Sequence, residues 1–323
     1  MVEINLKYFL SVAEELNITR AAEKNFISQQ SMSTHIKRLE NSMNTILFNR
    51  KPSFSLTPAG EMLFETLNQI KVLEDNLLLR LNDKNKEIRG SIVVGISHSR
   101  SNIIMPDIMT AYKKKWPKIN IILQQDSTSE NLENRIIRGY LDLFLGVGEI
   151  SENENIEFKL LHKENLYLII SDNLLEKHVI SKNKNFKKED NSFELDLSLF
   201  KDTPFIFDTS NELSAKTYSR YFENKNLQLN TIFKCDDAML RISLCSNDIG
   251  ATIAVEMMLQ YAHNYNSLTN KNKLYIYPIK DIFVPSVVAY HKNKFMTAYA
   301  KDFIDIATKT TKKYHENLNK VLI

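Results

Sequence analysis

Glycine, proline, cysteine and tryptophan are all scarce: the chain of 323 residues holds 7 glycines, 7 prolines, 2 cysteines and 1 tryptophan. Each scarcity removes a class of function. The few glycines form no phosphate loop, no dinucleotide-binding fingerprint and no nucleophile elbow, so catalysis has no visible machinery. Two cysteines, Cys235 and Cys245, exclude a disulfide-stapled scaffold and fit a reducing compartment. Neither sits in a metal-type cluster, and the seven histidines show no metal-ligand spacing. No metal and no cofactor are expected. Long apolar runs are missing too, since SIVVGI and LDLFLGV fall far short of the ~20 residues a membrane span requires. The N-terminus enters an amphipathic helix without a basic leader. The expectation is a cytoplasmic protein with no membrane partner. Nor does one sign of charge dominate: 42 basic and 39 acidic residues leave a formal net charge of +3, so a case for nucleic acid rests on where the charge sits.

What is present is concentrated between Asn17 and Ala59. Spacing there predicts two short helices joined by a tight turn, a small basic loop, and then Thr57 and Pro58 opening a long helix. Thr19 is placed to cap the first helix, and Ala21, Ala22 and Phe26 to form its close-packing face. In the second helix Met32, Ile36, Leu39 and Met43 recur at helical spacing. The opposite face carries Gln29, Gln30, Ser33, Thr34, Lys37 and Arg38, with Ser28 at its start. Amides pair with adenine, hydroxyls with several acceptors, and Lys or Arg with guanine or phosphate. Thr19 and Arg20 from the first helix, and Arg50 and Lys51 from the loop Asn49–Ser55, complete the candidate DNA-contacting set, with His35 placed to reach phosphate. By itself, an ordinary polar surface helix would look much the same.

Beyond Pro58, Leu63, Leu67, Ile70, Leu73, Leu77 and Leu81 step by three and four. So narrow a stripe on so long a helix needs a partner, either a second copy or the chain's own body, and Leu63, Leu67, Ile70, Leu77 and Leu81 are the candidate pairing residues. After a polar hinge from Asp83 to Gly90, short apolar strands alternate with amphipathic helices: SIVVGI, Ile104–Lys114, INIILQQ, Leu132–Arg138 and LDLFLGV. That alternation predicts a parallel sheet with helices on its faces, whose ligands bind beyond the strand ends. A second lobe is expected from LYLIIS at Leu166, with a polar loop from Lys182 to Glu194, a strand at PFIF and a helix at Asp208–Asn211. A strand Ser286–Tyr290 and a helix from Phe295 to about Lys312 should close back onto the first lobe. The candidate effector site draws on Ser97, Ser99, Arg100 and Ser101, on Thr128, and on Phe207, Asp208 and Thr209. Hydroxyls and N–H groups at a helix start cradle an anion, and Arg100 would add bidentate carboxylate recognition. The expected ligand is a small anionic metabolite.

The block LKYFLSVAEELNITRAAEKNFISQQSMSTHIKRLE, followed by LFNRKPSFSLTPAGE, closely resembles the winged helix-turn-helix of LysR-type transcriptional regulators, through Phe9, Val12, Ala21, Ala22, Ser28, Gln29, Ser33, Leu39, Glu40, Arg50, Thr57 and Gly60 among others. Pro106, Trp116–Pro117 in place of the usual Tyr-Pro, Gly139, Leu141 and Asp142 carry a similar likeness to that family's effector domain. The resemblance implies an α/β chain: residues 1–58 a winged helix-turn-helix, 59–89 a linker and dimerisation helix, and 90–323 a two-lobed, periplasmic-binding-protein-like effector domain. Its lobes would be about 90–163 with 286–323, and about 164–285. The implied partners are double-stranded promoter DNA, a small-molecule effector, RNA polymerase and further copies of the chain in a homotetramer. Gln30, Ser31 and Thr34 on the reading helix, Ser53 and Ser55 in the wing, and Asp248 and Val255 in place of a glycine and a proline depart from the family's pattern. Two rivals remain: a ligand-independent DNA-binding protein, and an enzyme on the same scaffold of the porphobilinogen deaminase type, with its cofactor on a cysteine. A redox switch on Cys235 and Cys245 ranks behind a structural role for both.

Overall fold

The computed structural model describes residues 3–82, 90–126, 128–148, 154–184, 186–188, 195–208, 213–268 and 273–322. They divide into two compact units. The first contains α1 (Ile4–Glu15), α2 (Ile18–Lys24), α3 (Gln29–Ser42), a wing of β1 (Phe48–Asn49) and β2 (Ser55–Leu56), and α4 (Pro58–Asn82). Local chemistry sets the breaks. Leu16 adopts a left-handed φ of 44° and closes α1. The Asn17 side chain accepts from the N–H groups of Thr19 and Arg20 to open α2, and Ser28 Oγ accepts from Ser31 N–H to open α3. The cap expected at Thr19 is therefore held by Asn17, and Thr19 already lies in the helix. Phe9, Val12, Ala21, Ala22, Met32, Ile36, Leu39, Leu47 and Phe48 form the core, which Phe64 and Leu67 of α4 complete. Phe26, expected on the packing face, is 96% exposed. The inter-helix turn places it at φ 56°, which swings the ring outward while Ile27 packs on the core in its stead.

The stripe along α4 divides in two. Leu67 is buried in the winged domain's own core and Leu63 packs half-buried against it, so this part of the row is satisfied within the chain. Ile70, Leu73 and Leu77 are exposed. The side chain of Leu81 and the hinge at 83–89 lie outside the described residues.

The second unit is built on an eight-stranded sheet. Its elements are β3 (Gly90–Ile96), α5 (His98–Lys115), β4 (Ile119–Gln125), α6 (Ser129–Ile137), β5 (Leu143–Val147), β6 (Ile156–Ser171), α7 (Asp172–Leu175), β7 (Pro204–Phe207), α8 (Leu213–Asn224), β8 (Asn230–Lys234), α9 (Ala238–Ser246), β9 (Ala251–Val255), α10 (Leu259–Leu268), β10 (Leu274–His291) and α11 (Ala298–Leu322). The strand order is β4-β3-β5-β10-β6-β9-β7-β8. β3 pairs in parallel with β4 and β5 at one end, and β7 pairs in parallel with β8 and β9 at the other.

β6 and β10 pair antiparallel and are shared by both halves, with register shifts at Ile279/Phe283 and Ser286/Val287. Such irregularities bend and twist a strand, and here they carry the chain from one lobe to the other. The short strands expected at Leu166 and Ser286 are thus the most apolar stretches of much longer ones. Asp248, where the resemblance implies a glycine, adopts φ 61°. Aspartate tolerates this conformation better than most residues, and its carboxylate accepts from Ser171 Oγ at 2.6 Å and Asn173 Nδ2 at 2.9 Å. The helix expected at Asp208–Asn211 falls largely on residues 209–212, outside those described, and α8 starts at Leu213. Most of the loop expected at Lys182–Glu194 lies outside them too. Among the described residues no helix is long and apolar enough to cross a membrane.

Candidate functional site

In the first unit the polar face of α3 and the wing form one surface. Gln30, Ser33, Thr34 and Lys37 line a groove with Arg50, floored by Ile18, Ile36, Phe48 and Phe54. Gln29, Arg38 and Lys51 are exposed on the same helix and wing. Glu40 holds the two parts together, because its Oε1 accepts from the N–H groups of Leu47 at 2.9 Å and Phe48 at 3.3 Å while its Oε2 meets Arg50 at 3.4 Å. Several side chains are already engaged within the chain. Thr34 Oγ1 donates to the Gln30 carbonyl and Arg20 to the Glu15 carbonyl, and Ser28 is the α3 cap. His35 faces inward: its Nδ1 shares a 2.8 Å hydrogen bond with Asn5 Oδ1, and its ring lies 4.7 Å from that of Tyr8. It therefore braces α3 against α1.

In the second unit a cleft of about 450 Å³ opens beyond the strand ends, within the ~300–1,000 Å³ typical of small-molecule sites. One wall is the start of α5, with Ser97, His98, Ser99 and Asn102, and the facing wall comprises Asp208, Tyr218, Asp236, Asp237 and Arg241. Ser97 makes no side-chain cap at the α5 N-terminus. Uncapped N–H groups at the positive end of an 18-residue helix therefore border the cavity. The α9 N-terminus is closed, since Asp237 accepts from Met239 N–H and Leu240 N–H. Both arginines are committed. Arg100 is buried and donates to Glu164 at 2.6 Å and Ser286 Oγ at 3.1 Å, and Arg241 pairs with Asp208 at 3.0 Å. The buried Arg100 guanidinium holds the Glu164 carboxyl below the usual carboxylate range against the opposing effect of burial.

Residues 5–61 match the family model described as the bacterial regulatory helix-turn-helix protein of the lysR family, and residues 85–312 match the LysR substrate binding domain. The chain belongs to the LysR family of transcriptional regulators. It is 32% identical over 188 residues to a probable RuBisCO transcriptional regulator of Trieres chinensis, and 33% identical over 150 residues to the transcriptional regulator CysL of Bacillus subtilis. These matches cover 57% and 46% of the chain and 60% and 50% of the relatives. A longer match, 28% identical over 306 residues, joins it to the Hca operon transcriptional activator HcaR of Escherichia coli, covering 94% of the chain and 95% of the relative. The fold is similar to that of a full-length OxyR of Pseudomonas aeruginosa, with TM-score 0.65 and 15% identity over 97% of this chain and 95% of that one. It is also similar to CbnR, with TM-score 0.58 and 17% identity over 96% and 99%.

Within this regulator the candidate effector residues are only partly brought together. Ser97, Ser99, Arg100 and Asp208 line the cleft. Ser101 turns away, donating to the His98 carbonyl and accepting from Gln125 Nε2. Thr128 Oγ1 accepts from Asn131 N–H and so serves the first turn of α6. Phe207 packs against Tyr218 and Phe222, and Thr209 lies outside the described residues. Arg100 is the main correction, because its Nη1 is taken up by Glu164 Oε1 and Ser286 Oγ, so the guanidinium is already ion-paired where a free ligand hook was expected. Asp236, Asp237 and Arg241 were missed, although an Asp-Asp pair ahead of an apolar helix is a readable cap signal.

Proposed function

We propose that this regulator binds a roughly two-fold symmetric promoter site through paired α3 helices, under control of a small metabolite held in the cleft beside the α5 N-terminus. The observation that carries the reading is the exposed row Gln29, Gln30, Lys37 and Arg38 beside the wing residue Arg50. These are the donors that read base edges and neutralise phosphate. CbnR has been captured in complex with its target DNA, and we carry that mode of action to this chain. We also propose self-association through α4, contact with RNA polymerase, a cytoplasmic location and no enzymatic activity.

The cleft favours ligand control over ligand-independent binding, because a filled-in lobe would not keep about 450 Å³ of polar-rimmed space. With both arginines paired, the oxyanion of an acidic metabolite would rest on the N–H groups and serine hydroxyls at the start of α5. Burial pushes the Cys245 thiol well above its ordinary pKa and keeps it a poor nucleophile, so the rival enzyme would have to use Cys235.

Selection of bound genomic fragments, followed by footprinting, tests the reading, with recovery of one two-fold symmetric site as the expected result. Fragments bound without sequence preference would overturn it. A thermal-shift panel of carboxylates and amino acids tests the cleft, because a ligand at a hundredfold its Kd stabilises by ~2.7 kcal/mol.

A further inference from the structure

The seven histidines show no ligand spacing along the chain, yet tertiary structure gathers two of them with two buried carboxylates on the sheet's shared strands. His162 and Glu164 lie on β6, Glu256 follows β9, and His315 lies on α11. His315 Nδ1 meets Glu256 Oε1 at 3.0 Å, and His162 Nε2 is 3.8 Å from Glu256 Oε2. One donor atom from each of His162, Glu256 and His315 can be chosen so that all three lie within 4.8 Å of one another. Glu256 is fully buried and, among the described residues, meets no Lys or Arg side chain; its partners are the two histidines and the N–H groups of Asn165. A buried carboxylate in that position calls for a cation.

We propose that His162, Glu256 and His315 bind one divalent transition-metal ion of the zinc class. Two imidazoles and a carboxylate suit such an ion, with bonds of about 2.0–2.2 Å and a further position open to water. The outer partners are also in place. His315 Nε2 is buried with no hydrogen-bond partner and lies 3.9 Å from Glu164 Oε1, within reach after a small shift, while Glu164 Oε2 is likewise unpartnered. A metal on Nδ1 requires the proton on Nε2, and a carboxylate facing that N–H is the usual support of a ligating histidine. Arg100 fixes Glu164 in turn, and Tyr314 donates to the Met257 carbonyl at 2.9 Å, tying α11 to the turn that carries Glu256.

One adjustment is needed. The two imidazoles stack at 3.9 Å with 18° between their planes, so their lone pairs lie in nearly parallel, separate planes and one ring must turn to share an ion. His162, whose side chain is 31% exposed, has the room and gives the ion its entrance.

The test uses the full chain, stripped with a chelator and titrated with Zn²⁺ by calorimetry and with Co²⁺ by visible absorption. The expected result is one ion per chain, an intense low-coordinate Co²⁺ spectrum and a raised Tm. His162→Ala should weaken binding by more than the ~10–100-fold typical of losing an outer partner, with the metal-free Tm unchanged. His315→Asn should weaken metal binding as much while also lowering the metal-free Tm, because it takes a partner from the buried Glu256, and His263→Ala, exposed on α10, should have no effect. No stoichiometric binding, or equal affinity in His162→Ala, would overturn the proposal and leave the cluster a hydrogen-bonded polar core. Neither readout involves DNA, so the outcome is separate from that of the promoter-binding reading.

Discussion

Gly60 shows how much one hydrogen atom can decide. A Cβ there would stand 2.1 Å from the Leu47 carbonyl oxygen, where α4 passes under the wing. Gly60→Ala should therefore destabilise the winged domain by at least the ~1–3 kcal/mol of an overpacked site, seen as a lower midpoint in urea unfolding. The cysteines give a second residue-level expectation. Cys245 is buried, with its thiol pKa pushed up by burial, whereas Cys235 is partly exposed. An aromatic disulfide reagent should label Cys235 rapidly in the native protein and reach Cys245 only after denaturation. Fast native labelling of both would mean that the packing around α9 is wrong.

At the scale of the element, caps and stripes decide what the sequence pattern leaves open. Asn17 satisfies two N–H groups of α2, so Asn17→Ala should cost about 1 kcal/mol, within the usual range for a lost cap, measurable by chemical denaturation. The α4 row yields a different kind of test. Leu67 belongs to the winged domain's core, while Ile70, Leu73 and Leu77 stay exposed in the single chain. Leu73→Asp together with Leu77→Asp should shift sedimentation from a dimer or larger assembly to the monomer and leave unfolding nearly unchanged. Leu67→Ala should act in the opposite way, lowering stability by the ~2–5 kcal/mol of a core truncation. An unchanged sedimentation profile in the Asp variant would place the pairing surface elsewhere.

At the scale of the whole molecule, one chain carries a charge-based reading face on α3 and a cleft whose two arginines are already paired. Lys37→Ala should weaken binding to all DNA sequences and lower the salt slope by roughly one phosphate contact. Gln29→Ala and Gln30→Ala should instead relax preference at defined positions, losing ~1–3 kcal/mol of discrimination for a bidentate pair. Competition binding at several salt concentrations separates the two behaviours. If none of the three changes alters promoter binding, α3 is not the reading helix.

Much of this architecture was legible in the residues. Helical spacing from Met32 to Leu39, the Thr57-Pro58 start and the short apolar strands of the first lobe are local patterns, and local patterns survive into the fold because hydrogen-bonding geometry and side-chain period are local. The family likeness of the winged domain rests on the same kind of ordered block. What the residues could not show is where a long-range partner waits. Arg100 looked like a ligand hook until Glu164, on a distant strand, claimed it. Leu67 looked like a pairing residue until the winged domain's core enclosed it. His162 and His315 carry no spacing signal because β6 and α11 meet only when the shared strands bridge both lobes. Periodicity and capping are written residue by residue, so the chain alone determined its elements and their order. Charge pairing and burial depend on neighbours far apart in sequence, so only the tertiary structure decided which side chains remain available to DNA, ligand or ion.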